Sequence, residues 1–356
     1  MKISLMKERL LFIVLFIMIQ QSNSTAAPLP LELPADQREF LNDSAWNEDV
    51  KEANKNTNHF TEPADTVNYA DYRYVGTHNA HVYPRFFKTV RQQDQTILGH
   101  LTYGVRGLML DTYAWDLGWP SSLVGPKDSK ICLSHPAPGV LAFTQKGTTT
   151  YQSLKYELRR IVEFMRVNPK AVITIIFENY SDNPGLAKEI KDVMAHAKYD
   201  PVFKVSDLSG GKWPTLGEMR SKNKRLVLFT QTGANTDVTF SQFAYMTENR
   251  YSTTDENELC QLRGESKNDK PLVAFNNFSG LAVTIPTYTT RDRVVYDTVK
   301  RIITNCQAKK FANGRLFNGY WADRIVGSCQ DLYENKHKTI FEYVNELNAK
   351  EDKTKP

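Results

Sequence analysis

An α/β barrel of parallel strands is the fold class this sequence predicts, on three observations. From about residue 68 onward, short apolar runs alternate with amphipathic stretches, the pattern of strand–helix–strand units with parallel strands. Eight candidate strands fall in about 280 residues, the size of an eight-stranded barrel. No G-x-G-x-x-G or phosphate-binding loop follows the first strand, which counts against the competing doubly wound open sheet.

The elements follow in chain order. Lys2, Lys7 and Arg9 precede an apolar run from Leu10 to Ile19, and Ser24 and Ala26 fit a signal-peptidase site. Residues 1–26 are therefore read as a signal peptide and the mature protein as soluble and secreted or periplasmic. The run is too short to cross a hydrocarbon core of about 30 Å, with an uncleaved anchor as the alternative. Residues 27–67 carry Pro28, Pro30, Pro34 and the polar run from Glu52 to Asn58, and read as a loosely packed N-terminal extension. The barrel is expected over 68–346 and a polar tail over 347–356.

The candidate strands are Tyr72–Val75, Gly107–Leu110, Ile131–Ser134, Val172–Phe177, Arg225–Phe229, Phe243–Met246, Leu272–Phe275 and Leu316–Trp321. In "YQSLKYELRRIVEFMRVNP", Leu154, Leu158, Ile161, Val162 and Met165 share one helical face, and Pro169 ends the helix. "RDRVVYDTVKRIITNCQ" is a second helix, with Val294, Val295, Val299, Ile302 and Ile303 apolar. No internal repeat or low-complexity tract is present.

Hydrophobic residues make up 41% and charged residues 24%, as in a soluble globular protein. The net charge of +5 is spread without a run of five like charges. It gives weak support for an anionic phospholipid surface as partner and none for nucleic acid. Four cysteines in an exported chain suggest disulfides, and none has zinc-ligand spacing. Cys260 precedes the seventh strand and Cys306 ends the helix after it. Neighbouring connections favour Cys260–Cys306, leaving Cys132 and Cys329.

A barrel builds its active site where strands end at the C-terminal face. His78 and Asn79 follow strand one, Asp111 ends strand two and His135 follows strand three. Glu178 and Asn179 end strand four, and Asp323 ends strand eight. A single histidine in a turn is usually structural, and a single aspartate after a strand is usually a helix cap. The joint pattern is what points to chemistry.

The ordered motifs "GTHNAH", "GHLTYGVRGLMLDTYAW", "ICLSHPAPG", "SLKYELRRIVEFMRVNPKAVITIIFENYSD" and "KWPTLGEMRSKNKRLVLFTQTG" resemble the X-domain of phosphatidylinositol-specific phospholipase C. The secreted single-domain branch, the PLC-like phosphodiesterases, is the nearest match, over roughly residues 68–325. The resemblance implies a TIM-type barrel. It also implies attack of the inositol 2-hydroxyl on the phosphodiester, giving diacylglycerol and a cyclic inositol phosphate. That chemistry needs a base and an acid, and imidazoles near their pKa of ~6.5 suit both. His78 takes the position of the general base and His135 that of the general acid. Asp323, in "GYWADR", takes that of the aspartate orienting the first histidine.

The resemblance further implies Ca²⁺ held by Asn79, Asp111 and Glu178. Met109 stands at the fourth ligand position, and Tyr113 where metal-independent relatives carry an arginine. A metal-free hydrogen-bond network around the histidines is the alternative. His81 is expected at a structural or rim position, and Lys155 and Arg106 as solvated or structural cations. Tyr113, Trp115 and Trp119 either touch lipid or inositol or pack their own loop. The expected partner is a phospholipid met at a membrane surface by a monomer. Two readings compete with the phospholipase. One is a catalytically weak barrel binding phosphoinositide head groups or a protein; the other is a glycerophosphodiester hydrolase, which Met109 disfavours.

Overall fold

The computed structural model describes residues 58–82, 92–93, 95–114, 131–134, 152–181, 183–251, 253, 255–278, 292–323, 325 and 338–353, all within the unit Leu33–Pro356. The expected signal peptide, His135, Trp115, Trp119 and Cys329 lie outside the described residues.

Eleven strands among the described residues form one sheet. They are β1 (Tyr74–Thr77), β2 (Gly107–Ala114), β3 (Ile131–Leu133), β4 (Gln152–Ser153), β5 (Ile173–Asn179), β6 (Val202–Phe203), β7 (Leu226–Thr230), β8 (Phe240–Ser241), β9 (Met246–Glu248), β10 (Leu272–Asn276) and β11 (Gly319–Ala322). The main path runs β6-β7-β5-β2-β1-β11-β10-β9, parallel throughout. Among the described residues no ladder joins β9 to β7 or β8, so the sheet is a half-barrel. Its strands are buried on both faces, as parallel strands covered by helices must be.

Three expected strands need correction. The segment Ile131–Ser134 is β3, which runs antiparallel to β2 and lies off the path, while the path has a further parallel strand, the two-residue β6, at the edge beside β7. Phe243–Met246 is mostly helix, α5 (Gln242–Tyr245), and the strand is displaced to β9. The first strand begins two residues later than expected, at Tyr74. Apolar runs of this length suit a buried strand or a buried helix turn equally, so periodicity does not separate them.

The two expected helices are present as α2 (Leu154–Val167) and α7 (Tyr296–Ala308). Ser153 caps α2 by accepting from the Tyr156 amide, and its apolar face is buried. The others are α1 (Ile97–Tyr103), α3 (Asn183–Ala197), α4 (Leu216–Ser221), α6 (Glu256–Leu259) and α8 (Ile340–Lys353).

Two domain boundaries also move. Residues 58–67 belong to the body: Phe60 and Val67 are buried and Glu62 pairs with Arg106 at 2.7 Å. Arg106 is itself buried, donating to the Leu101 and Val105 carbonyls, so it is structural. The expected polar tail is the end of α8 as far as Lys353. Its Asn348 pairs with the backbone N–H and C=O of Arg73, at 2.9 and 2.8 Å. The helix is held because its polar residues are used inward.

Cys260 and Cys306 form a disulfide that ties the segment after α6 to α7. Cys132 is a free, buried thiol with its pKa pushed up to about 12 by burial, and Cys329, the other cysteine left over, lies outside the described residues.

The buried rings of Trp321 and Tyr74 pack edge to face against β11, β1 and β2, at 6.0 Å between centroids. Glycines on three adjacent strands make the space. A Cβ at Gly76 would lie 2.4 Å from Trp321 Cε3, one at Gly107 2.8 Å from Trp321 Cη2, and one at Gly319 2.7 Å from Trp321 Nε1. Gly76→Ala is therefore expected to cost about 1–3 kcal/mol through overpacking. Urea denaturation checks this, and Gly76→Ala combined with Trp321→Leu should cost less than the sum of the two.

His100 on α1 is fully buried, and neither ring nitrogen has a hydrogen-bond partner among the described residues. Burial lowers its pKa to about 3. The unfolded imidazole binds a proton near pH 6.5 and the folded one does not, so stability is lost as pH falls from about 6.5 toward 3. Each unit of the depression corresponds to about 1.4 kcal/mol. His100→Leu should flatten this acid limb, measured as urea midpoints at pH 7 and pH 5.

Candidate functional site

Parallel strands in one sheet point their C-terminal ends the same way, and the candidate residues collect at that edge. Thr77 pairs with Ala322, and His78 and Asp323 are the next residue on each strand. The His78 amide donates to the Ala322 carbonyl at 3.1 Å. The His78 and Asp323 side chains then meet at 2.8 Å from Nδ1 to Oδ1, both buried. A carboxylate only accepts, so Nδ1 carries the proton and Nε2 is left for proton transfer. Burial opposes charging of His78. The charge and hydrogen bond of Asp323, with Glu178 and Asp111 beyond, outweigh it and raise the pKa above its ordinary value.

Asn79 sits in the left-handed region at φ 45°, which asparagine tolerates. Its amide nitrogen donates to Gln92 Oε1 at 2.6 Å, and Gln93 Nε2 donates to the His78 carbonyl at 2.5 Å. Asp111 and Glu178 are direct partners across β2 and β5. Glu178 accepts from Gln231 at 3.2 Å and from the Tyr180 hydroxyl at 3.3 Å. Tyr113 stacks on Tyr180 at 4.7 Å beside these carboxylates, so it packs against its own rim. His81 is buried, not at a rim.

His135 lies outside the described residues. Its neighbour Ser134 is buried, and the Ser134 amide donates to the Asp111 carbonyl at 3.3 Å. Because β3 is antiparallel, the chain descends from Ala114, opposite Ile131, back toward Asp111. The expected site is thus approached at Ser134 from above.

Among the described residues, no group of three or more His, Cys, Asp and Glu is placed to hold a metal ion. The expected ligands are two carboxylates and an amide, however. The Asn79 Oδ1 atom is buried and accepts no hydrogen bond among the described residues. A spare amide oxygen and two register-paired carboxylates are hard-oxygen donors of the kind a cation such as Ca²⁺ takes. Met109 is buried in β2 and adds no oxygen.

Four further residues reach the site that strand-end reading did not identify. Glu248 ends β9 and is fully buried. Burial raises its pKa, with Arg263 and Asn276 pulling the other way. Arg263 donates to both Glu248 oxygens, at 3.2 and 3.1 Å, and lies over the Tyr251 ring at 5.0 Å. Tyr251 packs on Phe278 at 4.9 Å, and Phe278 lies flat on His78, with centroids 3.6 Å apart and planes 3° from parallel. Glu248 was hidden because its strand was placed two residues early. The aromatic pair carries no charge pattern to flag it.

Comparisons with known proteins bear on the family likeness and the fold. The PI-PLC X family model matches residues 138–310. The chain is 31% identical over 245 residues to a PI-PLC X domain-containing protein of Arabidopsis thaliana, covering 64% of this chain and 52% of the relative. It is 27% identical over 206 residues to PI-PLC X domain-containing protein 1 of Arthroderma benhamiae, covering 54% and 58%. A third relative, from the same fungus, is named an uncharacterized secreted protein, at 24% identity over 200 residues, covering 55% of this chain and 40% of that one. The chain thus spans about half the length of the curated relatives it matches. In fold it is similar to the phosphatidylinositol-specific phospholipase C of Listeria monocytogenes, with a TM-score of 0.51 and 15% identity, covering 82% of this chain and 97% of that one. No helix among the described residues is long and apolar enough to cross a membrane.

Removing the Arg263 guanidinium would strand a buried carboxylate. Arg263→Met is expected to destabilise by up to about 3 kcal/mol, below the range for a fully buried pair because Arg263 keeps some water. Glu248→Gln should cost less. Thermal melts of the two variants at pH 7 test the order.

Proposed function

We propose that this chain, a relative of the PI-PLC X-domain proteins, is an exported phosphodiesterase that cleaves phosphatidylinositol-type lipids at a membrane surface. The observation that carries the reading is the buried His78–Asp323 pair at 2.8 Å, within electrostatic reach of Glu178 and Asp111, which pair across β5 and β2, and next in sequence to Asn79.

His78 Nε2 takes the proton of the inositol 2-hydroxyl as that oxygen attacks phosphorus. Asp323 stabilises the imidazolium that results. The bond from phosphorus to the diacylglycerol oxygen breaks, and His135 protonates the departing oxygen. The products are diacylglycerol and a cyclic inositol phosphate, with the two histidines returned to their starting states by proton exchange with water. Asn79, Asp111 and Glu178 would hold Ca²⁺, which when bound neutralises phosphate charge that two carboxylates would otherwise repel. A second reading, a weakly active barrel that binds phosphoinositide head groups or a protein, draws on Met109 and Tyr113. Neither supplies a ligand oxygen or a cation of the kind the family pattern has there.

The test is hydrolysis of phosphatidylinositol vesicles, followed by release of inositol phosphate. Cyclic inositol phosphate should appear, fall on addition of chelator and return with Ca²⁺. His78→Ala and His135→Ala should each lower turnover by about 10² or more. Release of glycerophosphate, or no release from the wild type, would overturn the reading. Full activity in excess chelator, with Glu178→Gln equally active, would remove the metal assignment alone.

A further inference from the structure

Asp323 holds His78 at one atom only. A single hydrogen bond through Nδ1 sets the ring's direction but leaves it free to tilt about the Nδ1···Oδ1 line. A second contact restricts that tilt. The Phe278 ring lies against the imidazole face at 3.6 Å with the planes 3° from parallel, which is van der Waals contact over the whole ring. Phe278 is 2% exposed, so the face it covers is dry. Two neutral rings prefer an offset or edge contact. A flat stack therefore reflects fixed positions on both sides rather than ring–ring preference.

Phe278 is fixed from behind. Tyr251 packs on it at 4.9 Å, and the Arg263 guanidinium covers Tyr251 at 5.0 Å while bonded to Glu248. Tyr251 and Arg263 lie on a segment closed on itself by two backbone bonds. Arg250 donates to the Gln261 carbonyl at 2.8 Å, and Arg263 to the Glu248 carbonyl at 3.0 Å. Outside, the segment is tied by the Cys260–Cys306 disulfide and by Arg293, which donates to the Thr253 carbonyl at 3.0 Å.

We propose that Phe278 is a positioning residue for His78, clamped against the imidazole by Tyr251 on the disulfide-tied segment 249–266. This rests on the reading of His78 as general base. Proton transfer demands a narrow geometry, and a misplacement of about 1 Å can cost about 10² in rate.

The experiment compares Phe278→Leu, Phe278→Tyr and Tyr251→Leu, with vesicle hydrolysis and NMR of the His78 ring C–H protons at one fixed pH. Stacking shifts those protons by the phenyl ring current, so the NMR signal reports the contact whether or not the protein is an enzyme. Phe278→Leu should remove the ring-current shift and lower kcat about 10–100-fold at unchanged KM. Phe278→Tyr should keep both. Tyr251→Leu, at a partly exposed position, should reduce the shift and kcat to a smaller extent, and it serves if Phe278→Leu does not fold. Loss of the shift with unchanged kcat would overturn the positioning role, as would an unaltered shift in Phe278→Leu. A wild type without hydrolysis would sink the proposed function, and the NMR comparison would still decide whether Phe278 orders the imidazole.

Discussion

Everything at the site depends on one indole filling the centre of the sheet. Trp321 reaches across β11, β1 and β2, and fits because Gly319, Gly76 and Gly107 offer no Cβ where its ring lies. The close approach holds β1 between β11 and β2 in a defined register, with Gly76 opposite both Trp321 and Gly107. Slipping a strand by one residue would turn its side chains to the other face and drive one of the rings into backbone. His78 and Asp323 are each one residue beyond the paired Thr77 and Ala322, so the same packing that fills the core sets their separation.

Charge is the second organising constraint. Asp111 within β2, Glu178 near the end of β5 and Glu248 at the end of β9 are the acidic groups, and His78 and Arg263 are the basic groups that feel them. Arg263 answers Glu248 directly, and Asp323 engages His78. Asp111 and Glu178 lie side by side with the spare Asn79 oxygen near the same edge. Such an edge attracts a cation and repels a phosphodiester unless one is present. The metal proposal and the acid–base proposal therefore describe one electrostatic problem, and the rim pair Tyr113 and Tyr180 adds no charge to solve it.

The described structure is also less open at its margins than composition suggests. The stretch from Asn58 to Val67 and the last helix hold one another: Asn345 accepts from the Thr61 amide at 3.0 Å and donates to the His59 carbonyl at 3.0 Å. Polar residues used as backbone partners look like solvated tail in a sequence, which is why Asn348 falls in the expected tail.

The sequence by itself determined the fold class, the helices α2 and α7, the Cys260–Cys306 neighbourhood, the places of His78, Asn79 and Asp323 just past β1 and β11, and that of Glu178 near the end of β5, whereas Asp111, expected to end its strand, lies within β2, which runs on to Ala114. Each follows from local pattern: apolar periodicity, a proline stop, or a polar residue just past an apolar run. Tertiary structure alone decided that β3 runs backward against β2, that a two-residue strand at Val202 completes the path, and that β9 ends at Glu248. Strand direction and short-strand pairing are set by ladder bonds to distant residues, which leave no periodic trace. Phe278 on His78, Tyr251 on Phe278 and Trp321 on its glycines belong to the same class. Ring against ring, or ring against a missing Cβ, is a contact between segments far apart in the chain, and it acquires meaning only when the backbone has brought them together.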